Sequence, residues 1–139
     1  MESSIKKAQI SIEYMSIVGI TTIIVIFLLW VSIYYSNEVE DTIKLNQLDS
    51  IGKDIVDNAE SVYYFGQPSK VTLNVLIPDG VTQINLTSDE LLFKVRTKSG
   101  ITDMFYPSSV ALQGYISSSY GYHDIVIEAK EGYVWINGT

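Results

Sequence analysis

Residues 14–37 read YMSIVGITTIIVIFLLWVSIYYSN, 24 consecutive positions without a charge, closed by Glu13 at one end and Glu38 at the other. At about 1.5 Å of rise per residue the run makes a helix roughly 36 Å long, and a bilayer's hydrocarbon core is about 30 Å thick. Lys6 and Lys7 precede it, while Glu38, Glu40 and Asp41 follow. The lysines predict a membrane orientation with the N-terminus inside and the C-terminal part outside. A removable secretory signal would have an apolar region of about 7–15 residues ending in a small-residue site. This run is longer and closes on Ser32-Ile33-Tyr34-Tyr35-Ser36. A plain transmembrane anchor accounts for the run, the lysines and the orientation, but not for Glu13.

Within the run, Ser16, Gly19, Thr21 and Thr22 place small residues on a bulky Ile/Val/Leu helix, and small residues let helices approach closely in lipid. Tyr14 near one boundary and Trp30, Tyr34 and Tyr35 near the other read as interfacial aromatics. No proline occurs before Pro68, so nothing demands a kink.

Beyond the run the pattern becomes amphipathic. Val39, Ile43, Leu48, Ile51, Ile55, Ala59 and Val62 recur at near-helical steps, with Glu40, Asp41, Asp49, Asp54, Asp57 and Glu60 on the other faces. Gly52 costs such a helix about 1 kcal/mol against alanine. The pattern stops at Phe65, where Gly66 suits a left-handed C-terminal cap and Pro68 follows.

From Lys70 the period changes to two. The stretches 71–77, 81–87, 91–97, 101–106, 110–116, 122–129 and 133–137 are separated by turn signals such as Pro78-Asp79-Gly80, Ser99-Gly100 and Glu131-Gly132. Seven short strands at this spacing predict a small all-β sandwich or barrel. The expected class is α+β: a long N-terminal helix packed on a sandwich-like head. About half of the 139 residues remain for that head, which is small for a domain with its own core.

The chain has no cysteine and a net charge of −7. Residues 38–66 carry seven acids and two bases, or −5, and residues 67–139 carry seven acids and five bases, or −2. Without a basic patch, no nucleic-acid partner is expected. His123 is the only histidine, so a histidine-based metal cluster cannot be built, and it reads as a strand or turn residue. Ser117-Ser118-Ser119 has no evident base nearby in sequence. No catalytic constellation, metal site or cofactor is expected. Two N-x-[ST] sequons, Asn85-Leu86-Thr87 and Asn137-Gly138-Thr139, are candidate N-glycosylation sites on an exported head.

The stretch Lys6-Lys7-Ala8-Gln9-Ile10-Ser11-Ile12-Glu13-Tyr14-Met15 resembles the class III signal peptide of archaeal type IV pilins. The resemblance is close over residues 6 to about 35 and architectural beyond. Archaellins have a comparable layout, but their junction normally carries glycine, unlike Ala8 and Gln9. The resemblance implies cleavage between Ala8 and Gln9 by a membrane prepilin peptidase, with Lys6 and Lys7 as basic leader residues. It makes Glu13 the fifth mature residue, where the family has its glutamate.

The spacing has a physical sense. Cleavage would free an α-amino group at Gln9, with a pKa near 8 in solution, and Glu13 lies one helical turn on along the same face. A carboxylate at the margin of a hydrophobic core is costly unless paired, either with its own amine or with a neighbouring subunit's. The other reading is that Glu13 reaches the headgroups and complements the helix dipole.

The resulting expectation is a leader over 1–8, a hydrophobic assembly helix over 9–37, an amphipathic stalk over 38–66 and a β-sandwich-like extracellular head over 67–139. The helix from Gln9 to Phe65 would be roughly 85 Å long. The resemblance implies a non-enzymatic filament subunit that polymerises helically with itself, served by the peptidase and an assembly ATPase and platform. It would reside in the membrane as a single-pass precursor before reaching a cell-surface filament. The alternative is a minor pilin or an anchored accessory module whose β-head binds a surface partner.

Overall fold

The computed structural model describes the backbone of residues 2–139 and the side chains of residues 11–36 and 39–139. The elements run α1 (Glu2–Phe65), β1 (Lys70–Ile77), β2 (Val81–Leu86), β3 (Glu90–Thr97), β4 (Gly100–Pro107), β5 (Leu112–Ile116), β6 (Gly121–Lys130) and β7 (Tyr133–Gly138). The chain is thus α+β, with one long N-terminal helix followed by β-structure. It divides into two compact units, residues 1–40 and residues 41–139.

The first unit is wholly helical over its described backbone. None of its described apolar side chains is fully buried: Ile17, Ile23, Leu29 and Ile33 are each 59–68% exposed.

In the second unit, α1 closes at Gly66, whose φ of 76° only glycine adopts cheaply. The Gly66 N–H donates to the carbonyl of Tyr63 at 3.0 Å, and Ser69 N–H donates to the carbonyl of Gly66 at 2.9 Å. One sheet has the order β1-β6-β7-β5 and the other β2-β3-β4. All pairs are antiparallel except β5 with β7. Period-two alternation turns Leu91, Phe93 and Val95 of β3, Ile125, Ile127 and Ala129 of β6, and Val134 and Ile136 of β7 inward. Leu48, Ile51, Ile55, Val56, Ala59 and Val62 of α1 join the same core.

Two members of the expected helical stripe do not follow. Val39 and Ile43 are 56% and 51% exposed, and the buried face begins with the half-buried Leu45. Periodicity reports which face of a helix is apolar, not what covers it.

A second departure concerns the acids. Three of the carboxylates expected on solvent faces hold the helix to the strands and their loops. Asp41 Oδ2 accepts the backbone N–H of Lys98 at 2.9 Å. Asp49 Oδ1 accepts the Tyr106 hydroxyl at 3.3 Å. Glu60 Oε1 accepts both the N–H and the hydroxyl of Ser109, at 2.8 and 2.7 Å. The Ser109 bonds, backbone first, hold the Glu60 carboxyl below its ordinary range. The hydrogen bond from Lys53 is the main cause of the same effect at Asp49. Burial, and then the Asp49 charge, push the Tyr106 phenol up.

Candidate assembly segment and head surface

Residues from Ser11 onward in α1 include a window long and apolar enough to cross a membrane, with none of it buried within the chain. An apolar medium leaves no water to satisfy a polar side chain, so a partner in the same helix lowers its cost. Ser16, Thr21 and Thr22 have one. Their hydroxyls donate to the carbonyls of Ile12, Ile17 and Val18 at 2.9, 2.8 and 2.7 Å, the one-turn back-bond open to short hydroxyl side chains in helices. Between them, the space where a Cβ on Gly19 would stand is empty to 4 Å, leaving a notch in an otherwise bulky surface.

At the other end of the run, Phe27, Trp30, Tyr34 and Tyr35 form a chain of rings with centroids 6.4, 6.2 and 5.9 Å apart. Steps of three and four keep Phe27, Trp30 and Tyr34 on one side of the helix. The apolar segment therefore ends in amphipathic rings rather than in aliphatic side chains.

Glu13 is exposed, and among the described residues it makes no ion pair or hydrogen bond. Its position is the chemically distinctive one in the segment: a single carboxylate on a surface otherwise free of charge from Ser11 to Ser36. Lys6, Lys7, Ala8 and Gln9, where the resemblance implies cleavage, lie outside the described side chains.

The two sequons occupy different sheets. Asn85 is half-buried on β2, where its Oδ1 accepts a hydrogen bond from Gln83 Nε2 at 3.0 Å. It borders an open groove of about 280 Å³ between the free edges of β2 and β5, shared with Gly114 and Tyr115. Asn137 is exposed on β7, between Tyr115 of β5 and Val126 of β6.

His123 lies on β6 and is only 7% exposed. The fold brings it to the serine loop, which the linear sequence does not reveal: Ser119 Oγ lies 3.2 Å from Nε2 and the Ser119 carbonyl 2.9 Å from it. A carbonyl only accepts, so Nε2 carries the proton and donates it there. That leaves Nε2 without a lone pair to receive the serine proton. Nδ1 is buried with no partner, so no carboxylate orients the ring. The pair is not arranged as base and nucleophile; it ties the 117–120 loop to β6. Among the described residues, no three histidine or acidic side chains converge on a common point.

Comparison of the chain with family models, with curated proteins and with solved structures returns no match.

Proposed function

We propose that this chain is the structural subunit of an archaeal type IV pilus-like surface filament. In this reading it is inserted as a single-pass precursor, cut between Ala8 and Gln9 by a prepilin peptidase, and drawn by an assembly ATPase and platform into a helical homopolymer. The β-structured part is then a sandwich-like head exposed outside the cell.

The observation that carries the reading is the surface of residues 11–36. It is apolar and exposed, the hydroxyls of Ser16, Thr21 and Thr22 are satisfied within the helix, and its one charge is Glu13 at the margin. A surface of this kind needs a dry partner, and identical helices supply one as well as lipid does. Glu13 then finds its counter-charge in the new α-amino group of Gln9 on an adjacent subunit. That contact sets axial register more than it adds net stability, the best-attested use of a buried charge.

N-terminal sequencing of membrane-extracted protein from cells with an active prepilin peptidase tests the reading. The expected first residue is Gln9. A chain beginning at Met1 rejects it. An anchored accessory module is separated by abundance: the filament subunit dominates sheared surface fibres, and an accessory does not.

A further inference from the structure

The outward face of the four-stranded sheet carries large rings that the described residues leave partly or largely exposed. On β7, Val134, Ile136 and Gly138 point into the core, so Trp135 and Asn137 share the outer face. In the register of β5 against β7, Tyr115 stands beside Asn137 and Gln113 beside Trp135. Trp135 is 42% exposed and Tyr115 64%. Neighbouring strands lie about 4.8 Å apart, and alternate residues along a strand about 7 Å apart. A group attached to the Asn137 amide therefore starts between two rings, each within roughly the width of one hexose.

The attachment chemistry is present at the same place. Asn137-Gly138-Thr139 is a sequon, and the Asn137 carboxamide makes no hydrogen bond among the described residues. The other sequon differs on each point. Asn85 is half-buried with its carboxamide engaged by Gln83, and the Thr87 hydroxyl is bonded to the Glu90 carbonyl at 3.0 Å.

We infer that Asn137 is the glycosylated residue of this head, and that Trp135 and Tyr115 form the bed on which the first sugars of its glycan lie. The donor is an oligosaccharide linked to a polyprenyl phosphate. Asn137 Nδ2 bonds to the anomeric carbon and the carbon–oxygen bond to the lipid phosphate breaks. The phosphate leaves with the electron pair, and Nδ2 gives up one of its two protons. The apolar C–H face of a pyranose then covers the rings, removing their surface from water. Gln113, exposed beside Trp135, offers both a donor and an acceptor to the sugar hydroxyls.

The inference rests on the reading that the head is exported. Intact-mass measurement of the full chain recovered from its own cells tests it, with protease added to intact cells as the measure of export. The wild-type chain and Asn85→Gln are expected to be heavier than the polypeptide by one glycan. Asn137→Gln and Thr139→Ala are expected to have the mass of the polypeptide alone. A protease-sensitive head without added mass, or added mass that survives Asn137→Gln, overturns the inference and leaves the surface reading standing. A head shielded from protease overturns both.

The bed is read separately. Trp30 and Trp135 are the two tryptophans, so a Trp30→Phe chain reports Trp135 alone. Acrylamide quenching of that chain in micelles is expected to fall about twofold when the glycan is present, compared with the additional Thr139→Ala variant. Equal quenching overturns the stacking.

Discussion

The ring of Tyr106 lies directly on the backbone of Gly52. A Cβ at Gly52 would stand 2.4 Å from Tyr106 Cε2 and 2.6 Å from two further ring carbons. The ring cannot swing away freely. Its hydroxyl is bonded to Asp49 at 3.3 Å, and its other neighbour is Phe93, with centroids 5.8 Å apart at 72°. In an ordinary exposed helix, Gly→Ala would gain about 1 kcal/mol. Here we expect Gly52→Ala to destabilise the head by about 1–3 kcal/mol through overpacking, read as a lower thermal midpoint of the full chain in detergent. Unchanged or raised stability would show that the contact is soft. Combining Gly52→Ala with Tyr106→Leu should recover part of the loss.

Tyr106 also gives an alkaline signature. Its phenol is pushed up from the ordinary value of 10.0, first by burial and then by the Asp49 carboxylate. The folded state thus holds the proton more tightly than the unfolded one. That contribution is complete below pH 10 and is lost as pH rises above it. Tyr106→Phe should flatten the loss of stability above pH 10 while costing about 1 kcal/mol at neutral pH for the bond to Asp49. A wild-type alkaline slope retained in the variant would contradict this.

At the acid end the relevant carboxylate is Glu60. Held below its ordinary value of 4.5 by Ser109, it contributes stability that is present above about pH 4.5 and is lost as pH falls through its lower folded value. Denaturant titrations of Glu60→Gln should show a shallower decline on acidification than the parent. The neutral-pH cost is about 1 kcal/mol, discounted for partial solvent exposure. If both proteins lose stability in parallel, Glu60 is not an acid-sensitive clamp.

A fourth expectation concerns β5. At Gly114, φ is 134°, and a Cβ would stand 1.8 Å from the backbone carbonyl oxygen of Ile136. Unlike a ring, that oxygen belongs to the adjoining strand and cannot rotate aside. Gly114→Ala should detach β5 from β7 and cost several kcal/mol, visible as early hydrogen exchange of residues 112–116. Wild-type protection there would mean that the close approach is dispensable.

The proposed assembly role makes its own prediction. Glu13→Ala should insert in the membrane and retain head stability, since Glu13 has no partner among the described residues, yet filament yield should fall at least tenfold, reflecting lost register. Electron microscopy and quantification of sheared fibres measure this. Normal filaments would remove Glu13 from the account.

Strands such as β3, β6 and β7 were legible because they alternate a buried and a wetter residue, and most of the strand connections carry a glycine or proline at or beside the turn. Strand ends were set by local side chains that no period reveals. Val110 was expected within β5, but it exchanges hydrogen bonds with the Ser108 hydroxyl, and the strand starts at Leu112. Thr87 was expected within β2 and instead bonds back to Glu90. The helix end at Gly66 was readable from composition. Gly52 was not: as a sequence feature it is only a weak helix former, and its meaning appears once Tyr106 is set against it. Asp41, Asp49 and Glu60 look like any solvated acids, because their partners lie 49–57 residues away in the chain. Glu13 and the sequons were visible as motifs, and the fold separated Asn137 from Asn85 by their surroundings.

The inward-turned hydroxyls of Ser16, Thr21 and Thr22 bear on reversibility. Because those three groups are already served by their own backbone, moving them between acyl chains and another protein breaks none of their hydrogen bonds in either direction. For these positions, withdrawal from a packed bundle back into the bilayer would cost only contact and shape. A polymer built on such rods could be taken apart and its units stored in the membrane intact, ready for reuse.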